Sequence, residues 1–100
     1  MDIKQIKHDN KIKFELGGTI DQKGAEELKE RFNEVDSSIK EVVLNLSKVT
    51  HIGSAGIGKI MLLYKKMAMG SGEIKIERVP SNIYDLFKVV KLDTIIPISK

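Results

Sequence analysis

The stretch Glu41 to Leu46, E-V-V-L-N-L, limits the fold more than any other part of this chain. Val42, Val43, Leu44 and Leu46 lack the strict alternation of a strand with one wet face, and the adjacent valines are β-branched. Such a run reads as a strand buried on both faces, in the middle of a sheet. It needs strands on either side and helices packed on the sheet.

The rest of the chain supplies these. Ile3 and Ile6 mark a weak N-terminal edge strand, and Asp9 and Asn10 suit a hairpin turn. Lys11 to Leu16, K-I-K-F-E-L, alternates strictly and predicts a half-buried strand, which Gly17 and Gly18 are expected to end. Ala25, Leu28, Phe32 and Val35 recur at helical spacing after Asp21, with Glu26 and Glu27 placed early, as the helix dipole favours. A second stripe, Ile57, Ile60, Met61, Tyr64 and Met67, stops at G-S-G, residues 70–72. Glu73 to Val79 alternates again and Pro80 stops it. Ser81 is placed to cap a third helix bearing Ile83, Leu86, Phe87 and Val90. Thr94 to Ile98 reads as a last strand, which Pro97 confines to an edge. The expected fold is a single α/β domain over residues 1–100, in the order β-β-α-β-α-β-α-β. Its central mixed sheet is largely parallel, and Phe32, Ile60, Tyr64 and Phe87 pack on it.

Several function classes are disfavoured. The formal net charge is +3, but the lysines are interleaved with acids and tryptophan is absent, so a solvated surface is expected and no nucleic-acid partner. No apolar run approaches the length of about 18 residues that spans a membrane, and the first residues, MDIKQIKHDN, hold no secretory h-region. The absence of cysteine rules out disulfides and thiolate metal sites, and two histidines without clustered carboxylates predict no metal. No cofactor is expected, and a cytoplasmic location is.

The segment Gly53 to Lys59, G-S-A-G-I-G-K, carries the chemistry in question. It matches the G-x-x-x-x-G-K part of a P-loop, but Ile60 stands where the metal-binding hydroxyl belongs. The strand at Glu41 to Leu46 is also expected to stop well short, with S-K-V-T-H-I between. A serine nucleophile fares no better: G-x-S-x-G is absent, and His51 has no orienting carboxylate. His51 reads as a surface loop residue. The alternative cut starts a helix here, with Gly56 and Gly58 in its first turns permitting close packing on the sheet and Lys59 on its solvent face. Ser54 is then either a plain N-cap or a residue contacted or modified by a partner. Asp21 has the same two readings.

Taken together, the buried strand ending L-N-L-S, the link, I-G-S-A-G-I-G-K and the earlier G-G-T-I-D-Q-K-G-A-E-E-L resemble the STAS domain of bacterial anti-sigma factor antagonists over nearly the whole chain. The resemblance implies a non-enzymatic protein-binding switch. An anti-sigma factor that is itself a serine kinase is bound by the unphosphorylated form and phosphorylates a serine, and a PP2C-type phosphatase resets it. Residue by residue, it implies Ser54 as the phosphorylated serine and Asp21 as the aspartate of the earlier motif. The implied partner face comprises Thr19, Asp21, Gln22, Gly24, Gly53, Ser54, Ala55, Gly56 and Gly58. The chain departs from the family's D-S-[ST]-G motif with Gly53 for aspartate and Ala55 for the second hydroxyl residue. Two alternatives remain: a STAS module in a sensory complex with no phosphorylation, and a small nucleotide-binding protein using G-S-A-G-I-G-K.

Overall fold

The computed structural model describes residues 1–100. Turn chemistry starts the sheet. Asp9 takes a positive φ of 52°, which aspartate tolerates, and folds β1 (Asp2–His8) back antiparallel on β2 (Lys11–Ile20) with His8 opposite Lys11. β2 pairs in parallel with β3 (Glu41–Ile52), and β3 with β4 (Glu73–Glu77), giving the order β1-β2-β3-β4. Helix α1 (Gln22–Asn33) connects β2 to β3 and α2 (Ser54–Met69) connects β3 to β4. After β4 come α3 (Ser81–Val89) and a single 3₁₀ turn, Leu92–Thr94.

The core explains the layering. Ile12, Phe14 and Leu16 of β2 share one buried cluster with alternate residues of β3 and β4 and with the stripes of all three helices. Burial of Phe32, Ile60 and Phe87 follows the sequence expectation, and Tyr64 packs at the margin. All three helices therefore cover the same face. The opposite face holds Lys11, Lys13, Glu41, Lys75 and Glu77, tied by ion pairs Lys13–Glu77 (3.3 Å), Lys11–Glu41 (3.5 Å) and Lys75–Glu41 (3.8 Å). Val43 and Asn45 lie on that face and are buried nonetheless. The ladder neighbours of Val43 are Lys13 and Lys75, whose long stems can shield it without a helix. β3 is thus buried on both faces as its composition demands, with helices on only one.

Both central strands run further than expected. β2 passes through Gly17 and Gly18 to Ile20, and β3 passes through S-K-V-T-H-I to Ile52. Register shifts explain both. Glu15 pairs with Asn45 but Gly17 with Lys48, and Gly18 pairs with Val49 but Thr19 with His51, so β3 holds an extra residue at each step. The bulges put Val49 and Ile52 inward three residues apart, which hides the strand's period of two. Gly18, at φ 82°, lets β2 follow the kink. Asn45, the one buried polar residue, serves the first bulge by accepting the Ser47 N–H at 2.9 Å.

Smaller differences have local causes. The last strand is reduced to one parallel bridge, Ile98 beside Ile76, while Thr94 belongs to the 3₁₀ turn. Pro97, with no N–H to give, contributes only its carbonyl, which accepts from Ile76 at 2.9 Å. Pro80 rather than Ser81 occupies the N-cap of α3. Glu26 and Glu27 lie beyond the first turn of α1, past the strongest part of the dipole.

Candidate functional site

Parallel pairing puts the carboxyl ends of β2 and β3 side by side, with Ile20 opposite Ile52. Each strand turns directly into a helix, so the starts of α1 and α2 emerge together at one end of the sheet. The Gly53 N–H donates to the Ile20 carbonyl at 3.0 Å and locks the two turns to each other.

The two helix starts are built differently. Asp21 is the N-cap of α1, and its Oδ1 accepts from the Gly24 N–H at 2.9 Å. That bond, above all, holds its carboxyl below the usual carboxylate range. A folded-state value below the unfolded one means the charged cap supports the fold above the unfolded pKa, near 4, and loses that support as pH falls through the folded value. Asp21→Asn keeps an acceptor oxygen but cannot titrate. Urea midpoints measured at neutral and at acidic pH should therefore fall less steeply with acid in Asp21→Asn than in the parent, and equal falls would contradict the cap.

Gly53 is the N-cap of α2 and offers no side chain to it. Ser54 is the first helical residue, not the cap, so the plain N-cap reading of Ser54 does not hold. Its side chain is exposed at a helix start whose leading N–H groups have no side-chain partner. Around it, Thr19 and Gln22 are exposed, and Thr19 Oγ1 lies 3.4 Å from Thr50 Oγ1. Ala55 and Gly58 are half-buried.

Gly24 and Gly56 are buried and present no surface to a partner. A Cβ on Gly56 would stand 2.7 Å from Ile20 Cγ2 and 3.0 Å from Ile52 Cγ1, so α2 sits on the sheet only because this residue is glycine. The close-packing expectation thus holds for Gly56 and fails for Gly58, where a Cβ meets nothing within 4 Å. Alanine separates the two by sign. Gly58→Ala should gain up to about 1 kcal/mol of helix propensity. Gly56→Ala forces overpacking that costs about 1–3 kcal/mol and outweighs the same gain. Urea denaturation of both variants checks this, and a stabilising Gly56→Ala would contradict the contact.

Thr50 and Asn82 share this rim and escaped the sequence reading, while His51, expected in a surface loop, is exposed as expected but belongs to β3 because the bulges let that strand run on to Ile52. Thr50 and His51 point outward from the bulged end of β3, and Asn82 Nδ2 donates to the Thr50 carbonyl at 3.5 Å, bringing the start of α3 to the same end. Their signal becomes legible only once β3 is known to reach Ile52.

The strand does run into Gly53, contrary to expectation, yet no phosphate loop results. Residues 54–59 are already helix, and Lys59 lies roughly 7.5 Å along the axis from Ser54. Lys59 is half-buried in the groove between α1 and α2 instead of lying fully on the solvent face. No three His, Asp or Glu side chains come together as a metal site would require, and no helix is long and apolar enough to cross a membrane.

Comparison with known proteins bears on this arrangement. A family model described as STAS domain matches residues 2–100. The anti-sigma-B factor antagonist of Bacillus subtilis (strain 168) is 27% identical over 99 residues, covering 99% of this chain and 89% of that protein. The crystal structure of an anti-sigma factor antagonist from Mycobacterium paratuberculosis superposes with a TM-score of 0.86 at 22% identity, over 98% of this chain and 84% of that one. The structure of the Bacillus cell fate determinant SpoIIAA in its phosphorylated form gives a TM-score of 0.80 at 11% identity, over 99% of this chain and 92% of that one. At these identities the two structures establish a shared fold.

Proposed function

The chain belongs to the STAS domain family, and on that footing we propose that it is an anti-sigma factor antagonist switched by phosphorylation at Ser54. The observation that carries the proposal is the exposed Ser54 hydroxyl at the start of α2, beside the Asp21-capped start of α1. In this reading the unmodified face formed by Thr19, Asp21, Gln22, Gly53, Ser54, Ala55 and Gly58 binds an anti-sigma factor with serine kinase activity. Gly24 and Gly56 shape that face from beneath. The kinase supplies ATP. The Ser54 oxygen attacks the γ-phosphorus, the hydroxyl proton leaves to a base of the kinase, and ADP departs. The product adds about −1.5 to −2 charge where the partner docked, at a helix end that itself tolerates an anion. A PP2C-type phosphatase restores the hydroxyl. The chain contributes no catalysis, and the proposed location is the cytoplasm.

A second reading, a partner-binding module with no phosphorylation cycle, draws support from Gly53. Position 53 is the N-cap of α2, where the family's aspartate would cap the helix and set a carboxylate beside the serine. Backbone at Gly53 is extended (φ −94°, ψ 174°), and a Cβ there meets only the Ile20 carbonyl, at 3.8 Å, so aspartate fits without strain. Gly53→Asp should keep the fold and gain a few tenths of a kcal/mol as a better cap. Incubation of the parent and Gly53→Asp with the cognate anti-sigma kinase and ATP, followed by intact mass and peptide mapping, decides between the readings. A single phosphate on Ser54 is expected, added faster in Gly53→Asp if the acid aids recognition. No phosphate in either protein leaves the binding module alone.

A further inference from the structure

We propose that the groove between α1 and α2 docks an acidic segment of a partner protein, one that carries an aliphatic side chain into the groove. The groove encloses about 100 Å³ and is lined by Lys29, Phe32 and Asn33 of α1 and by Lys59, Leu62 and Lys66 of α2. It is smaller than the cavity of about 150 Å³ that takes a benzene, and so suits one aliphatic side chain. Leu62 is 55% exposed at its edge, an apolar group that water solvates poorly.

The charge around these apolar groups has one sign on α2. Between Glu41 and Glu73 the sequence contains no carboxylate, so α2 carries Lys59, Lys65 and Lys66 without an acid. Neither Lys29 nor Lys59 has an ion pair in the structure, although four Lys or Arg pairs form elsewhere, three of them across the outer face of the sheet. Lys66 is already engaged: its Nζ donates to the Phe32 carbonyl at 3.1 Å and the Asn33 carbonyl at 3.4 Å. That contact ties the carboxyl end of α1 to α2 at one end of the groove. Lys29 and Lys59 are left as free cations flanking an apolar slot, the arrangement that an acidic, leucine-bearing segment complements.

An anionic membrane surface would meet the same lysines but fits less well. The slot is concave and takes in a single side chain, whereas a bilayer surface is flat and presents its phosphates in a plane. This surface shares α2 with Ser54 but does not depend on phosphorylation there.

The test uses the full chain, ¹⁵N-labelled. It is titrated with a short helical peptide of glutamate carrying leucine at every third or fourth position, with the same peptide bearing lysine for glutamate, and with phosphatidylglycerol vesicles. The expected result is amide shifts concentrated at Lys29, Phe32, Lys59 and Leu62 with the acidic peptide and none with the basic one. The double variant Lys29→Glu with Lys59→Glu should bind the acidic peptide about tenfold more weakly or worse. Lys29→Gln with Lys59→Gln gives the same reading should the reversed variant not fold. Shifts spread over Lys11, Lys13 and Lys75 of the outer sheet face, equal response to both peptides, or no response overturn the proposal. Binding to vesicles without binding to the acidic peptide assigns the patch to lipid and overturns it as well.

Discussion

Phe32→Ala lowers the unfolding free energy by about 3–5 kcal/mol, the range for truncating a buried aromatic side chain. Phe32 is 4% exposed and holds α1 against β2 through Phe14, whose ring meets it edge to face with centroids 5.4 Å apart and planes at 66°. Edge-to-face geometry contributes about 0.5–1.5 kcal/mol beyond the apolar area lost. A domain of this size is stable by about 5–15 kcal/mol in all, so the variant stands near the edge of folding at room temperature. Phe32→Leu restores volume without the ring and should recover most of the loss. Equilibrium urea denaturation of the three proteins measures this, and a loss under about 1 kcal/mol for Phe32→Ala would contradict the packing of α1 on the sheet.

If Ser54 is the proposed switch, Ser54→Asp should weaken binding to the proposed anti-sigma partner by about tenfold or more, and a phosphate there should weaken it further, because like charges or unmatched desolvation at a docked face cost several kcal/mol. Ser54→Ala behaves oppositely. Ser54 is exposed, the cap position belongs to Gly53, and the Ser54 hydroxyl holds no hydrogen bond that supports the helix, so its removal should change stability by no more than about 0.5 kcal/mol. Titration calorimetry against the unmodified kinase gives the affinities of the parent, the phosphorylated protein and both variants, with thermal melts to show that each is folded. Equal affinity of the parent and Ser54→Asp would remove the electrostatic switch. Loss of binding in Ser54→Ala would make the hydroxyl itself a contact.

Where side-chain period carries the information, the sequence is sufficient. K-I-K-F-E-L alternates because one face of β2 is wet, and Leu28 and Phe32, like Ile60 and Tyr64, stand one helical turn apart because each helix buries one stripe. Of the two readings that the sequence leaves for Asp21, cap or partner contact, the structure shows the cap. The segment Gly53 to Lys59 reads as a helix start from Ile57 and Ile60, and the structure agrees.

What escapes is whatever a second strand or helix decides. The extra residues in β3 break its alternation, and only the register against β2 shows that S-K-V-T-H-I is still strand, which brings Thr50 and His51 to the rim of the site. Gly56 and Gly58 are identical in sequence and opposite in role, because Ile20 and Ile52 crowd one and nothing approaches the other. Chain order alone cannot distribute helices between the two faces of a sheet. Their placement on one face follows from the single apolar face shared by β2, β3 and β4, and it leaves the other to ion pairs. The sequence by itself determined the three helices, the cores of the four strands and the serine at the head of α2. Tertiary packing decided which small residues are contacts and which are spacers, because the closest atom to a Cβ on Gly56 belongs to Ile20, on a different strand and distant in the chain.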